Sequence, residues 1–167
     1  MTPSESKPIL IIQTAFIGDT ILASSFAKTI HDQYPDAPLH FFLRKGNESV
    51  IKGLPFVHKV WVWDKGEGKV RSLWRLIREL RLYEFRAVFN IHRHFNSGLI
   101  TAFMKAKAKI GFKQNPLSFF YTHKVNHRIP HTVDGQSWHE VQRNLQLLQA
   151  FDGRFPMPFK LQEFRPV

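Results

Sequence analysis

The stretch "QTAFIGDT", Gln13 to Thr20, places one glycine and one carboxylate, Gly18 and Asp19, between an apolar run and an amphipathic one. An acid at a strand-to-helix corner admits two readings. It can cap a helix or sit in its first turn, complementing the helix dipole for about 1 kcal/mol. It can also act as a general base, since a carboxylate at the mouth of a parallel sheet can take a proton from an incoming hydroxyl. The local residues leave both open. They do exclude two phosphate-binding corners: a dinucleotide fingerprint needs three glycines, and a P-loop needs Gly-Lys-Ser/Thr.

A second polar cluster, "NIHRHFNSG" from Asn90 to Gly98, ends another apolar run. Its His92, Arg93, His94, Asn96 and Ser97 can present donors to a polar ligand on the same rim as Thr14 and Asp19. Asn96 or Ser97 can equally cap the helix that follows. Two imidazoles two residues apart with no third ligand do not make a metal site, so no metal is expected. There is no Asp-x-Asp for metal-dependent sugar-nucleotide chemistry. In "KVRSLWRLIRELR", Arg71, Arg75 and Arg78 share one face of a helix, with Leu73, Trp74, Ile77 and Leu80 largely on the other. That stripe is either a solvated basic face or a phosphate-binding one, for which arginine is the bidentate donor.

The elements that position these residues alternate. Pro8–Gln13 is apolar on both faces, as in a buried parallel strand. Asp19 then opens a helix with Ile21, Leu22, Phe26 and Ile30 at helical spacing, and the prolines of "YPDAP" end it. Strands are expected at 39–44, 57–63, 87–92 and 108–113, with a further short one within 122–129. Helices are expected at 47–55, capped by Asn47, and at 70–83, 97–106 and 138–151. Strands alternating with helices imply a Rossmann-like α/β domain, a parallel sheet flanked by helices. Ligands of such sheets bind beyond the carboxyl ends of the strands, where strand order reverses. Residues 1–152 are assigned to this domain, and the Pro-rich "RFPMPFKLQEFRPV" after it reads as an extended linker.

The 167-residue chain is long enough for one core. It has no cysteine, which removes thiol catalysis and disulfides and fits a reducing compartment. The N-terminus lacks the basic start and apolar core of a signal peptide, so a cytoplasmic protein is expected. A formal net charge of +11 attracts polyanions: nucleic acid, anionic headgroups or phosphorylated small molecules.

In this order and spacing, "ILIIQTAFIGDTILASSFAKTIHDQYPDAPLHFFLR", "GLPFVHKVWVWD", "YEFRAVFNIHRHFNSGLITAFMKAKAKIGF" and "HEVQRNLQLLQAFDG" resemble the N-terminal half of the family 9 glycosyltransferases, the ADP-heptose:lipopolysaccharide heptosyltransferases. The resemblance covers most of the chain. It implies the first domain of a GT-B fold, two Rossmann-like domains facing across a cleft. It implies inverting, metal-independent transfer of heptose from ADP-heptose to a lipopolysaccharide core, with no cofactor and with Asp19 as the base. Thr14, Gly18, Arg71, Arg75, Arg78, His94, Asn96 and Ser97 are the implied acceptor-binding residues. The acceptor is an anionic, membrane-borne glycolipid, so peripheral contact with the inner face of the cytoplasmic membrane is expected, and nucleic acid is not. The C-terminal nucleotide-sugar domain of the family is absent from this sequence, with 153–167 as the interdomain linker, so the chain alone is expected to be inactive. Two other classes compete. A nucleic-acid-binding module would draw on the charge and on the 14% aromatic content. A free-standing nucleotide-binding α/β domain would draw on the fold alone.

Overall fold

The computed structural model describes residues 6–66, 68–127 and 140–153. The sheet strands are β1 (Ile9–Gln13), β2 (Leu39–Arg44), β3 (Val57–Trp63), β4 (Phe85–Asn90), β5 (Ala106–Phe112) and β6 (His123–Val125). The helices are α1 (Ile17–Gln33), α2 (Glu48–Lys52), α3 (Lys69–Leu80), α4 (Phe95–Phe103) and α5 (Glu140–Phe151), with a 3-10 turn at Ser118–Phe120. All pairings are parallel, in the order β3-β2-β1-β4-β5-β6. This is the doubly wound arrangement expected from the alternation of elements.

The two faces of β1 explain its unbroken apolar run. Ile9 and Ile11 enter one core layer with Phe26 and Ile30 of α1, Ile51 of α2 and Leu147 and Leu148 of α5. Leu10 and Ile12 enter the other with Leu73, Ile77 and Leu80 of α3 and Ile100 of α4. Strand side chains alternate, so a central strand buried on both sides must be apolar at every position.

Several sequence expectations shift. α1 begins at Ile17, with Phe16 at the N-cap and no side-chain cap, so Asp19 lies in the first turn rather than opening the helix. Its buried stripe is Thr20, Ala23, Phe26, Ala27 and Ile30. Ile21 is exposed, because at 100° per residue it falls on the side of the helix opposite that stripe. Trp74 also leaves the core: it is 38% exposed and packs edge-on to Phe103, ring centroids 5.1 Å apart. Asn47 stands at the N-cap of α2 without a side-chain cap bond. The extended tail expected at 154–167, and the residues 138 and 139 expected to start the last helix, lie outside the described residues.

Behind the β4 loop, Gly98 of α4 meets a buried loop. A Cβ there would stand 2.2 Å from Asn115 Oδ1 and 3.0 Å from Leu117 Cβ. Gly98→Ala is therefore expected to destabilise the fold by about 1–3 kcal/mol, the cost of overpacking a tight site. Urea denaturation would read this as a lower midpoint, and an unchanged midpoint would contradict the close approach.

Candidate active site

β1 and β4 are neighbours in the middle of the sheet, with Ile12 in register with Asn90, and Ile91 N–H donates to Ile12 O at 3.2 Å. Beyond that bond their chains part. β1 leads into α1 in one core layer, and β4 leads into α4 in the other. Their divergence opens a cleft of about 410 Å³ at the carboxyl ends of the strands. It is lined by Thr14, Phe16 and Asp19 from the β1 side, by His92, Arg93, His94 and Asn96 from the β4 side, by Arg44 and Trp63 at the ends of β2 and β3, and by Lys65 just past β3.

Each cleft loop is held by a buried amide from another segment. Asn47 donates to Ala15 O and to Thr20 Oγ1, both at 2.9 Å. Gln13 Oε1 accepts from Ala15 N–H at 3.1 Å. On the other side, Asn115 donates to His94 O at 2.9 Å and receives Leu117 N–H at 2.9 Å. Asn90 Oδ1 accepts His92 N–H at 3.0 Å, while its amide donates to Tyr121 Oη at 2.7 Å. Burial pushes that phenol up to about 12, keeping it neutral. Thr14 Oγ1 and His92 Nδ1 then share a hydrogen bond of 2.7 Å that joins the two loops across the cleft.

Among the described residues, the cleft carries one carboxylate and several cations. Asp19 is partly buried, and among the described residues no hydrogen bond or ion pair occupies its carboxylate. Arg44 lies with its guanidinium 5.2 Å from the Phe16 ring centroid, and Lys65 lies 4.7 Å from that of Trp63. Burial, then Arg44 and Lys69, hold Lys65 below its ordinary value. Burial also lowers His92 to about 4, assisted by His94, Lys65 and Arg93, so its imidazole is neutral at pH 7. Unpaired charges gathered in one concave, partly desolvated site are costly unless a ligand uses them. An anionic group would meet the cations here, and a hydroxyl would meet Asp19. Among the described residues, no group of three His, Cys, Asp or Glu side chains is placed to hold a metal ion.

The structure brings Thr14, Asp19, His94 and Asn96 together in this cleft. Gly18 is exposed in the first turn of α1 beside it, with open space where a Cβ would stand. Ser97 is fully buried and its hydroxyl donates to His94 O at 2.8 Å and His92 O at 3.0 Å, so it faces the loop rather than the cleft. Arg71, Arg75 and Arg78 are exposed on α3 and do not line the cleft. Sequence reasoning passed over Arg44, Trp63 and Lys65. The rule that led to the β1 and β4 ends applies equally to β2 and β3, and it would have found them.

The neutral state of His92 has a pH consequence. Its folded value near 4 lies below the ordinary 6.5, so protonation favours the unfolded chain. Its contribution is complete above about pH 6.5 and is lost as pH falls toward 4. Chemical denaturation across that range is expected to show a steeper loss for the wild type than for His92→Gln. Parallel curves would show that His92 titrates normally.

Residues 73–165 match glycosyltransferase family 9 (heptosyltransferase). The chain is 27% identical over 136 residues to the lipopolysaccharide core heptosyltransferase OpsX of Haemophilus influenzae, covering 77% of this chain and 38% of that protein. It is 26% identical over 140 residues to lipopolysaccharide heptosyltransferase 3 of Escherichia coli, covering 79% and 39%. The chain thus spans about two-fifths of the length of these relatives. In fold it is similar to a family 9 glycosyl transferase from Veillonella parvula, with a TM-score of 0.75 at 17% identity over 87% of this chain and 41% of that one. It is also similar to E. coli heptosyltransferase WaaC solved with ADP, with a TM-score of 0.72 at 16% identity over 90% and 49%. The family match covers more than half of a chain whose switch-point cleft is already formed, and the chain belongs to glycosyltransferase family 9.

Proposed function

We propose that this chain is the acceptor-binding half of an inverting, metal-independent glycosyltransferase that moves heptose from ADP-heptose to a lipopolysaccharide core. The observation that carries the reading is the single unengaged carboxylate of Asp19 in a cleft otherwise lined by cations and neutral donors. Relatives named as lipopolysaccharide heptosyltransferases supply the substrate class.

In this reading the acceptor hydroxyl enters beside Asp19 and gives its proton to the carboxylate. The acceptor oxygen forms its bond to the anomeric carbon from the face opposite the leaving group. The bond from that carbon to the diphosphate breaks, and the electron pair leaves with ADP. Arg44, Lys65 and Arg93 hold the anionic part of the acceptor, and Thr14, His94 and Asn96 offer hydrogen bonds to its sugars. Arg71, Arg75 and Arg78 extend the positive surface from the rim along α3. The nucleotide sugar and the charge of the leaving diphosphate are met by the part of the relatives that this chain does not span, where helix N-termini and cations would stabilise it. Neither half holds a complete site in this reading, so closure of the two belongs to the catalytic cycle. The working place is the cytoplasm, at the inner face of the membrane.

The test follows acceptor mass after incubating the full-length gene product with ADP-heptose and a lipopolysaccharide-core acceptor. Wild type is expected to add one heptose, and Asp19→Asn, folded by circular dichroism, to lose about 10²–10⁴ in rate, the usual contribution of a general base. Equal rates would return Asp19 to the role of a first-turn acid. No product from either would overturn the assignment of donor and acceptor.

A further inference from the structure

From Phe85 to Val133 the chain contains no Asp or Glu, and eight Lys and Arg, from Arg86 to Arg128, fall in the same span. This half of the domain is uniformly basic, and it carries a pair of exposed aromatic rings. Phe119 and Phe120, adjacent on the 3-10 turn, are 64% and 50% exposed, with ring centroids 4.4 Å apart. Lys113 and Lys124, both exposed, flank them, and Lys113 N–H donates to Val125 O at 2.8 Å, which brings the two ends of the loop together.

The exposure is not slack. Ser118 N–H donates to Asn115 O at 2.9 Å, Phe120 N–H to Leu117 O at 3.1 Å and Tyr121 N–H to Ser118 O at 3.0 Å. Ser118 Oγ donates to Lys113 O at 2.9 Å. Asn115 and Tyr121 are buried on either side of the pair. The turn therefore presents two apolar rings on a backbone in which the N–H groups of Ser118, Phe120 and Tyr121 are already engaged, and each engaged donor lowers the cost of meeting an apolar phase. Phe95, one helical turn before the Gly98 against which this loop packs, adds a third exposed ring at 53%.

We infer that the Phe119–Phe120 turn is an interfacial anchor that inserts its rings into an anionic lipid bilayer while Lys113 and Lys124 meet the headgroup phosphates. Aromatic rings with basic flanks suit the boundary between acyl chains and anionic headgroups, where apolar burial and charge attraction act together. Neither ring lines the switch-point cleft, so the turn is free for a second surface. For its purpose the inference rests on the reading above, since an anchor of this kind would hold the cleft beside a lipid-borne acceptor.

The test needs no sugar chemistry, so its failure is separate from that of the Asp19 reading. The 167-residue chain is sedimented with vesicles of equal phosphatidylglycerol and phosphatidylcholine, and with phosphatidylcholine alone. Binding is expected on the anionic vesicles only and is expected to weaken with salt. Phe119→Ser with Phe120→Ser is expected to lower the partition coefficient tenfold or more at an unchanged melting temperature, and Lys113→Glu with Lys124→Glu to lower it as well. Val70→Ser with Leu82→Ser, exposed apolar residues on and after α3, is the control and should bind as wild type. Wild type that ignores anionic vesicles overturns the inference, as does a Phe119/Phe120 variant that binds undiminished. Loss of binding in the control pair, or preferred binding to single-stranded DNA through the same two rings, also overturns it.

Discussion

The constraint on which the structure depends is the parallel pairing of β1 with β4. Two strands that run side by side must send their successors somewhere, and here α1 and α4 go to opposite layers. The last bond between them, from Ile91 N–H to Ile12 O, is the point beyond which the backbones have no partner in each other. A parallel sheet cannot close that gap with a hairpin, because its connections all cross to the far end. The cleft is thus a topological product, and the side chains only decide what it is good for.

What they decide is a matter of electrostatics in a half-dry space. The loops are fixed by neutral amides, Asn47, Asn90 and Asn115, together with Gln13 and Ser97. None of these changes charge with pH. The charged groups are left to face the opening. The Thr14–His92 bond joins the two loops with a group that burial, aided by the neighbouring cations, keeps neutral, so the joint adds no further positive charge to a cleft that already holds several. Fixed neutral scaffolding around unpaired ions is preorganisation: the ions wait in place for a ligand rather than reorganising when it arrives.

Most of the fold was legible because the hydrophobic period changes cleanly. β2 and β3 fall where the residues put them, and the sheet class follows from alternation. The boundaries that moved did so for local reasons. Nothing in "TAFIGDT" tells Phe16 from Asp19 as the N-cap, because the helix is closed by backbone bonds alone, without a side-chain cap. Trp74 follows Arg71 by three residues and precedes Arg78 by four, so helical spacing puts it beside the arginines rather than in the buried stripe, and it finds Phe103 instead of the sheet. In the site, Asp19 and the His92–Asn96 loop were visible because each follows an apolar run directly. Arg44 and Lys65 were not, since cations ending a strand or lying in a turn look like ordinary surface. Asn47 and Asn115 were invisible as loop anchors because their partners lie 32 and 21 residues away in sequence.

The place of α5 bears on how the chain comes to be folded at all. Leu147 and Leu148 are fully buried in the layer that covers one face of β1, and Tyr34 Oη bonds Asp152 Oδ2 at 2.8 Å across 118 residues. As the polypeptide leaves the ribosome, the first strand therefore appears long before the helix that helps to cover it. Through that interval Ile9, Ile11 and Phe89 are without part of their cover, and contacts of such sequence separation form slowly. A nascent chain of this order is one that a holding chaperone would meet, and the layer is finished only when its last helix is synthesised.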